Sequence, residues 1–367
     1  MLGVIEDRHG FPGAVPGAGG CGGPFRGPPV DEFDYELPRE LIAQAPAETR
    51  DASRLLVLRR AAGLEDRAFG DLPGLLRAGD CLVVNDSRVI PARVLAEDDA
   101  GRPVELLFVE PLNENTWRAL VRPGRRCKPG AHLRAGGVRL RVMGADPDGA
   151  RVIAREQGTI AALLESHGLP PLPPYIARHA KPAPEDWERY QTVYATAPGS
   201  VAAPTAGLHF TREVLERLSA AGVEVHAVTL HVGPATFRPV TAATVETHRI
   251  PPERASIAPA TAAAIARARA DGRRVVAVGT TTVRTLEGAA DEHGRVRPFE
   301  GVADLTIRPG HRFGVVDALL TNFHLPRSSL LLLVAAFAGR EAVLRAYRHA
   351  VDARYRFYSY GDAMLIA

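Results

Sequence analysis

The chain has 367 residues, 46% hydrophobic and 24% charged, with 45 Lys and Arg against 42 Asp and Glu for a formal net charge of +3. That is the composition of a soluble globular protein of about two domains, and its slight positive balance suits a polyanionic partner. The best apolar run, Leu330–Phe337, falls well short of the ~20 residues of a membrane span, so no membrane association is expected. Cys21, Cys81 and Cys127 are odd in number, far apart and without CxxC spacing. A disulfide framework and a zinc site are both disfavoured, and the reducing cytoplasm is the expected surroundings. Lys128 and Lys181 are the only lysines, which disfavours Schiff-base chemistry.

Residues 1–30 are rich in Gly and Pro without apolar periodicity, so a disordered tail is expected. A short helix after Pro38 and a buried strand at Arg54–Leu58 open the folded part. A short helix at Leu72–Leu76 and an apolar strand at Cys81–Val84 follow. From about Val89 to Arg155, short β-rich runs alternate with Gly/Pro turns (Val104–Val109, Trp117–Val121, Val138–Val142, Arg151–Ala154). That spacing predicts a small barrel, assigned to residues 68–157.

After a helix at Ile160–His167 and the proline-rich stretch Leu169–Ile176, strands and helices alternate. Strands are expected at Val223–His231, Arg274–Val278 and Ala318–Leu320. Helices are expected at Arg212–Ala220, Thr261–Ala270, Thr281–Ala290, Ser328–Phe337 and Glu341–Arg354. The expected fold is α/β: a mostly parallel-sheet domain from residues 31–67 and 158–367, with the barrel inserted.

Three segments share one plan, an apolar strand, a short polar loop, then a helix or turn. In VVAVGTTTVR (Val275–Arg284), Gly279 ends the strand and Thr280–Thr282 open a helix whose free N–H groups suit an anion. Arg284 opposes the helix dipole there, so a ligand role is expected; capping with an external salt bridge is the structural alternative. In VTLHVGPATF (Val228–Phe237), His231 stands at a strand end; in LLTNFHLPRSSL (Leu319–Leu330), Asn322 and His324 lie in the loop. Core packing and loop-closing hydrogen bonds are the plainer readings of these residues. Ligands of open α/β sheets bind outside the strands' carboxyl ends, so one cleft lined by Thr281, Thr282, Arg284, His231, Asn322 and His324 is expected.

Tyr190–Thr211 adds a loop of small residues (Ala202, Ala203, Ala206, Gly207) that lets backbone approach a planar ligand; it holds Thr205 and ends near His209. Arg88 and Arg93 flank Pro91 at the domain junction, and Arg122–Lys128 (RPGRRCK) forms a basic turn on the barrel. Both suit RNA phosphates, with an ion pair or a solvated loop as the alternatives. The tyrosine-rich tail Tyr355–Ile366 is expected to pack, with Asp362 directed toward the cleft. No GxGxxG follows an apolar strand (the match at Gly17–Gly22 lies in the Gly/Pro-rich tail), and no GxxxxGK[ST] or HExxH pattern is present.

These blocks (FDYELPRELIAQAP, LVVNDSRVIPAR, LPPYI, YQTVYATAPGSVAAPTAGLHF, TLHVGPATFRPV, VAVGTTTVRTLE, VVDALLTNFHLP, YRFYSYGDAMLI) together resemble the S-adenosylmethionine:tRNA ribosyltransferase-isomerase family of queuosine biosynthesis, from Phe33 to Ile366. The resemblance implies an α/β domain with an inserted β-barrel, acting as a cytoplasmic monomer. It implies no prosthetic group and no metal, with S-adenosylmethionine as co-substrate. The ribosyl group would be transferred to, and isomerised on, 7-aminomethyl-7-deazaguanine at the wobble position of a tRNA with a GUN-type anticodon. Epoxyqueuosine would form, with adenine and methionine released.

On that basis the expected catalytic residues are His209, His231 and His324. The expected substrate-binding residues are Thr205, Thr281, Thr282, Arg284, Asn322 and Asp362. The expected RNA-binding residues are Arg88, Arg93, Arg125, Arg126 and Lys128. Two positions depart from the family pattern: Pro251 replaces the second histidine of H-x-M-H-S-E, and Ala235 replaces a glycine of H-V-G-x-G-T-F. They leave open the same donor and fold acting on another acceptor; a non-catalytic RNA-binding protein is the third reading.

Overall fold

Apolar runs without alternation become the centre of the fold in the computed structural model, which describes residues 28–59, 63–178, 181–234 and 240–367. In chain order, β1 (Arg54–Arg59) pairs antiparallel with β2 (Gly63–Ala68), and β3 (Cys81–Asn85) is buried along its whole length. β4 (Ser87–Val89) leads into β5 (Arg93–Asp98), β6 (Pro103–Pro111), β7 (Thr116–Arg122), β8 (His132–Ala135), β9 (Val138–Ala145) and β10 (Arg151–Arg155). These last six close a barrel in the order β10-β7-β6-β5-β8-β9. β11 (Ala197–Ser200) pairs with β4. The remaining strands are β12 (Glu224–Leu230), β13 (Glu253–Ile257), β14 (Val275–Val278), β15 (Phe299–Ala303), β16 (Ala318–Asn322) and β17 (Ala363–Ile366).

The nine-stranded sheet runs β15-β13-β12-β3-β14-β16-β17-β1-β2. Its centre, β12-β3-β14-β16, is parallel. β3, β14 and β16 are buried at every residue, as strands covered on both faces must be. Antiparallel pairs flank that centre on both sides, so the expected parallel core sits within a mixed sheet.

Helices cover both faces. α1 (Leu72–Leu75) and α4 (Arg212–Ala220) pack with Phe69, Phe210 and Leu218 on one. α5 (Pro259–Ala270), α6 (Thr280–Gly288), α7 (Ser329–Ala338) and α8 (Arg340–Asp352) pack on the other around Phe323, Leu331 and Tyr347. Thr211 and Ser328 cap α4 and α7 by accepting from the N–H groups of Val214 and Leu331, a contribution of about 1 kcal/mol each. A short helix, α3 (Asp186–Arg189), lies in the loop region between, and α2 (Ile160–His167) follows the barrel.

The domain boundaries differ from expectation. The strand at Cys81–Asn85, expected inside an insertion spanning 68–157, lies at the middle of the large sheet. A run buried on both faces cannot serve a barrel wall that exposes alternate residues. The other boundary also moves, because Ile160, Leu163 and Leu164 of α2 belong to the barrel's core. Residues 1–27 of the expected tail lie outside the described residues. Val30, placed in that tail, is buried, and its N–H donates to the Ala243 carbonyl.

Candidate functional site

Gly279 ends β14 with φ +86°, a conformation that glycine adopts without strain, and turns the chain into α6. Its N–H donates to the Leu320 carbonyl of β16, holding two strand ends together. Between these ends and the turn Thr205–His209 lies a narrow crevice of about 30 Å³ lined by Thr205, Thr281, Asn322, His324, Tyr358 and Ser359, among others. Four expected site residues, Thr205, Thr281, Asn322 and His324, therefore meet at the carboxyl ends of the sheet. Asn85, at the end of β3, donates to Thr281 Oγ1 at 3.3 Å and to the Leu230 carbonyl at 3.0 Å, bracing this corner.

His324 is almost wholly buried, and its Nε2 lies 2.9 Å from Thr321 Oγ1. Burial brings its pKa down to about 3, so the ring is neutral at physiological pH. Asn322 donates to the carbonyls of Tyr358 and Ser359 at 2.9 and 3.3 Å. His209 sits behind the crevice in a pocket of about 20 Å³ that shares Ser359 with it. Its Nδ1 lies 2.7 Å from Ser53 Oγ, and its ring packs on Phe69. Burial lowers its pKa to about 4, with the Asn322 amide opposing the shift.

His231 follows β12 in a crevice of about 170 Å³ between the sheet domain and the barrel, with Val232 shared by this crevice and the first. Burial first, then the Arg254 guanidinium, lowers its pKa, and the Asp86 carboxylate opposes them. The loop is pinned by three bonds: the N–H groups of His231, Val232 and Gly233 donate to the Arg254 carbonyl, Ser200 Oγ and Glu253 Oε1. Gly199 abuts the ring, where a Cβ would stand 2.8 Å from His231 Nδ1. Pro251 lines the same crevice, whereas Ala235 lies outside the described residues.

A larger cavity of about 470 Å³ opens between the barrel and the sheet domain. It shares Tyr358 with the strand-end crevice and Leu120 and Pro234 with the His231 crevice. Its size falls in the range of small-molecule sites, which the strand-end crevice alone does not reach.

Several expectations need correction. Arg284 is 2% exposed, forms an ion pair with Glu253 and donates to the carbonyls of Leu305 and Ala303. It ties α6 to β13 and lines none of these cavities; the unfavourable dipole position is answered by Glu253 rather than by a ligand. Thr282 is buried with its hydroxyl on the Val278 carbonyl. Asp362 accepts from the N–H groups of Arg54 and Arg356 and closes a loop instead of facing the cleft. The missing Cβ of Gly207 makes room for Tyr194, whose hydroxyl would stand 2.1 Å from it, not for a ligand.

The expected RNA-binding residues divide. Arg88, Arg125 and Lys128 are exposed, and Arg126 donates to the Pro103 carbonyl. Arg93 is 2% exposed, faces Glu105 at 3.5 Å and lines the large cavity, so it cannot reach a surface phosphate. The residues that sequence reasoning missed are Tyr358, Glu253, Asn85 and Ser53. Tyr358 carried a signal in its tyrosine-rich segment, and Asn85 and Glu253 stood within family blocks, in LVVNDSRVIPAR and at the end of the H-x-M-H-S-E stretch. Among the described residues, no group of three or more His, Cys, Asp and Glu side chains could hold a metal ion, and no helix is long and apolar enough to cross a membrane.

Fold and site define a class: an α/β protein with neighbouring cavities at the carboxyl ends of its sheet, walled on one side by an inserted barrel with a basic outer turn. Residues 30–366 match the family described as queuosine biosynthesis protein, and the chain belongs to that family. A relative from Symbiobacterium thermophilum, named S-adenosylmethionine:tRNA ribosyltransferase-isomerase, is 53% identical over 92% of this chain and 99% of its own length. One of the same name from an Anaeromyxobacter species is 54% identical over 92% and 99%. A crystal structure of an S-adenosylmethionine tRNA ribosyltransferase from Thermotoga maritima is 41% identical, covering 92% of this chain and all of that one, with a TM-score of 0.52.

Proposed function

We propose that this protein is an S-adenosylmethionine:tRNA ribosyltransferase-isomerase. It transfers the ribosyl group of S-adenosylmethionine to 7-aminomethyl-7-deazaguanine at the wobble position of tRNA and isomerises it to epoxyqueuosine, with release of adenine and methionine. The observation that carries this reading is the match over almost the full length of relatives bearing that name. The tRNA has a GUN-type anticodon, the protein works as a cytoplasmic monomer, and neither a prosthetic group nor a metal takes part.

The residues fit the chemistry. The sulfonium makes the adjacent ribose carbon electrophilic and its protons acidic. What the protein must add is a base, an acid for departing adenine and fixed dipoles around developing charge. His231, its pKa lowered by burial, lines the crevice of about 170 Å³ and is the leading acid/base group. His324 and Asn322 orient the base-bearing part of the substrate, and Thr205 and Thr281 supply hydroxyls to the same wall. His209, held by Ser53 and beside Asn322, acts through Asn322 rather than on the substrate. Arg88, Arg125 and Lys128 contact tRNA phosphates.

Incubation with S-adenosylmethionine and tRNA bearing the deazaguanine precursor tests the reading. Release of adenine together with a nucleoside of epoxyqueuosine mass is the expected result; neither product with intact substrates would sink it.

A further inference from the structure

We propose that the 470 Å³ cavity between barrel and sheet is a nucleobase pocket for a purine-type base, with Tyr358 as its stacking face and the Arg93–Glu105 pair reading the edge of the ring. The proposal rests on the ribosyltransferase reading and assigns a place within it.

Tyr358 has φ +76°, a left-handed backbone that residues other than glycine hold only when their surroundings impose it, and such residues gather at functional sites. Here the surroundings do impose it. The Tyr358 N–H donates to the Phe323 carbonyl, and its own carbonyl accepts from Asn322 and from the Gly361 N–H. The next N–H, that of Ser359, donates to the Tyr175 hydroxyl at 3.1 Å. All of this holds one aromatic ring in the wall common to the large cavity and the strand-end crevice. Tyr175, its ring centroid 4.3 Å away, lines the same cavity beside it.

The remaining walls are mostly aliphatic and proline, with Leu107 facing from the barrel. Into them are set a carboxylate, Glu105, and a guanidinium, Arg93, 3.5 Å apart. A purine edge presents N–H donors beside ring or carbonyl acceptors, and an adjacent acceptor and donor pair answers both. Arg122, at the mouth, begins the turn that carries Arg125 and Lys128. A nucleic acid lying on that turn has a base within reach of the pocket. Proteins that read single-stranded RNA stack splayed bases on aromatic rings in this way.

Two sources can supply the base: the adenine of the donor and the purine at the tRNA wobble position. Tyr358→Leu and Tyr358→Phe, made in the full chain, separate them by equilibrium binding. One arm measures affinity for S-adenosylmethionine without tRNA. The other compares an anticodon stem-loop with a purine at the wobble position against one that is abasic there. Tyr358→Phe, which retains the ring, loses far less than Tyr358→Leu in whichever arm moves. Tyr358→Leu lowers either donor affinity or the preference for base over abasic by about tenfold, and the arm that moves names the source.

Wild-type values in both arms for a folded Tyr358→Leu protein overturn the proposal. Should that variant not fold, Leu107→Trp narrows the same cavity from the barrel side, with the same expected loss and the same overturning result. Failure of the wild-type chain to release adenine strikes the functional reading instead, because neither binding arm requires turnover.

Discussion

The ends of the central strands and the outer turn of the barrel handle polar groups in opposite ways. At the strand ends, Arg284, Thr282, Asn322 and His324 are buried and bonded within the protein. On the barrel, Arg122, Arg125 and Lys128 stand in solvent. Fixed dipoles in a dry corner stabilise developing charge with little reorganisation, whereas exposed cations attract a polyanion at long range and are screened by salt. On the proposed function the first region serves chemistry and the second capture, so changes in each should leave different kinetic and thermodynamic traces.

The largest expected effect lies on the sheet side. Replacing His231 with Gln should reduce turnover by at least about 100-fold, the scale of a lost general acid or base, without altering the melting curve. Unchanged turnover would remove His231 from the mechanism. Next comes Arg284→Ala, which leaves Glu253 buried without its cation and should cost about 3–5 kcal/mol in denaturant unfolding. Arg284→Lys should restore little, because one guanidinium serves a carboxylate and two carbonyls at once. A wild-type denaturation midpoint for Arg284→Ala would show that the ion pair does not organise this corner.

Acid probes the same dry region. His209 and His324 have folded pKa values of about 4 and 3, below the unfolded value near 6.5. Their contribution to stability is therefore complete above pH 6.5 and is lost as pH falls toward those values. Each ring should remove about 2 kcal/mol by pH 5. Unfolding free energy measured from pH 8 to 5 should be flat and then fall, and His209→Gln should fall less steeply. A profile level down to pH 5 would mean that neither ring is desolvated as described.

The smallest effect belongs to the barrel. Arg125→Ala with Lys128→Ala should weaken tRNA binding several-fold at low salt and reduce the salt slope by about 2, with kcat at saturating tRNA unchanged. A fall in kcat instead would blur the division between the two regions.

How much of this was legible in the sequence depends on whether a feature is local. Gly279 before three threonines, and Asn322 and His324 after an apolar strand, are local patterns, and the structure brings Thr281, Asn322 and His324 to one crevice. The barrel was readable from its short strands and turns. Arg284 was misread because its partner Glu253 lies 31 residues away on strand β13, and no local rule names such a partner. Cys81–Asn85 was placed in the wrong domain because a short apolar run looks the same in a barrel and at a sheet centre; burial on both faces settles it. Tyr358 was read as simple packing, since a tyrosine gives no sign in sequence that its backbone will be left-handed.

The position of β17 has a consequence for how the protein is made. It lies between β16 and β1, joining Leu55–Leu58 in parallel to Ala363–Ile366. Of all the described strands it is the last to be synthesised, yet it bridges the sheet's two halves. Until it emerges, β1 with β2 on one side and the block from β15 to β16 on the other expose unpaired edges, the kind of surface on which chains misassociate. A chain interrupted before Ala363 would carry every other described strand but leave the facing edges of β1 and β16 unpaired, so the strand made last among them is the one that joins the two halves.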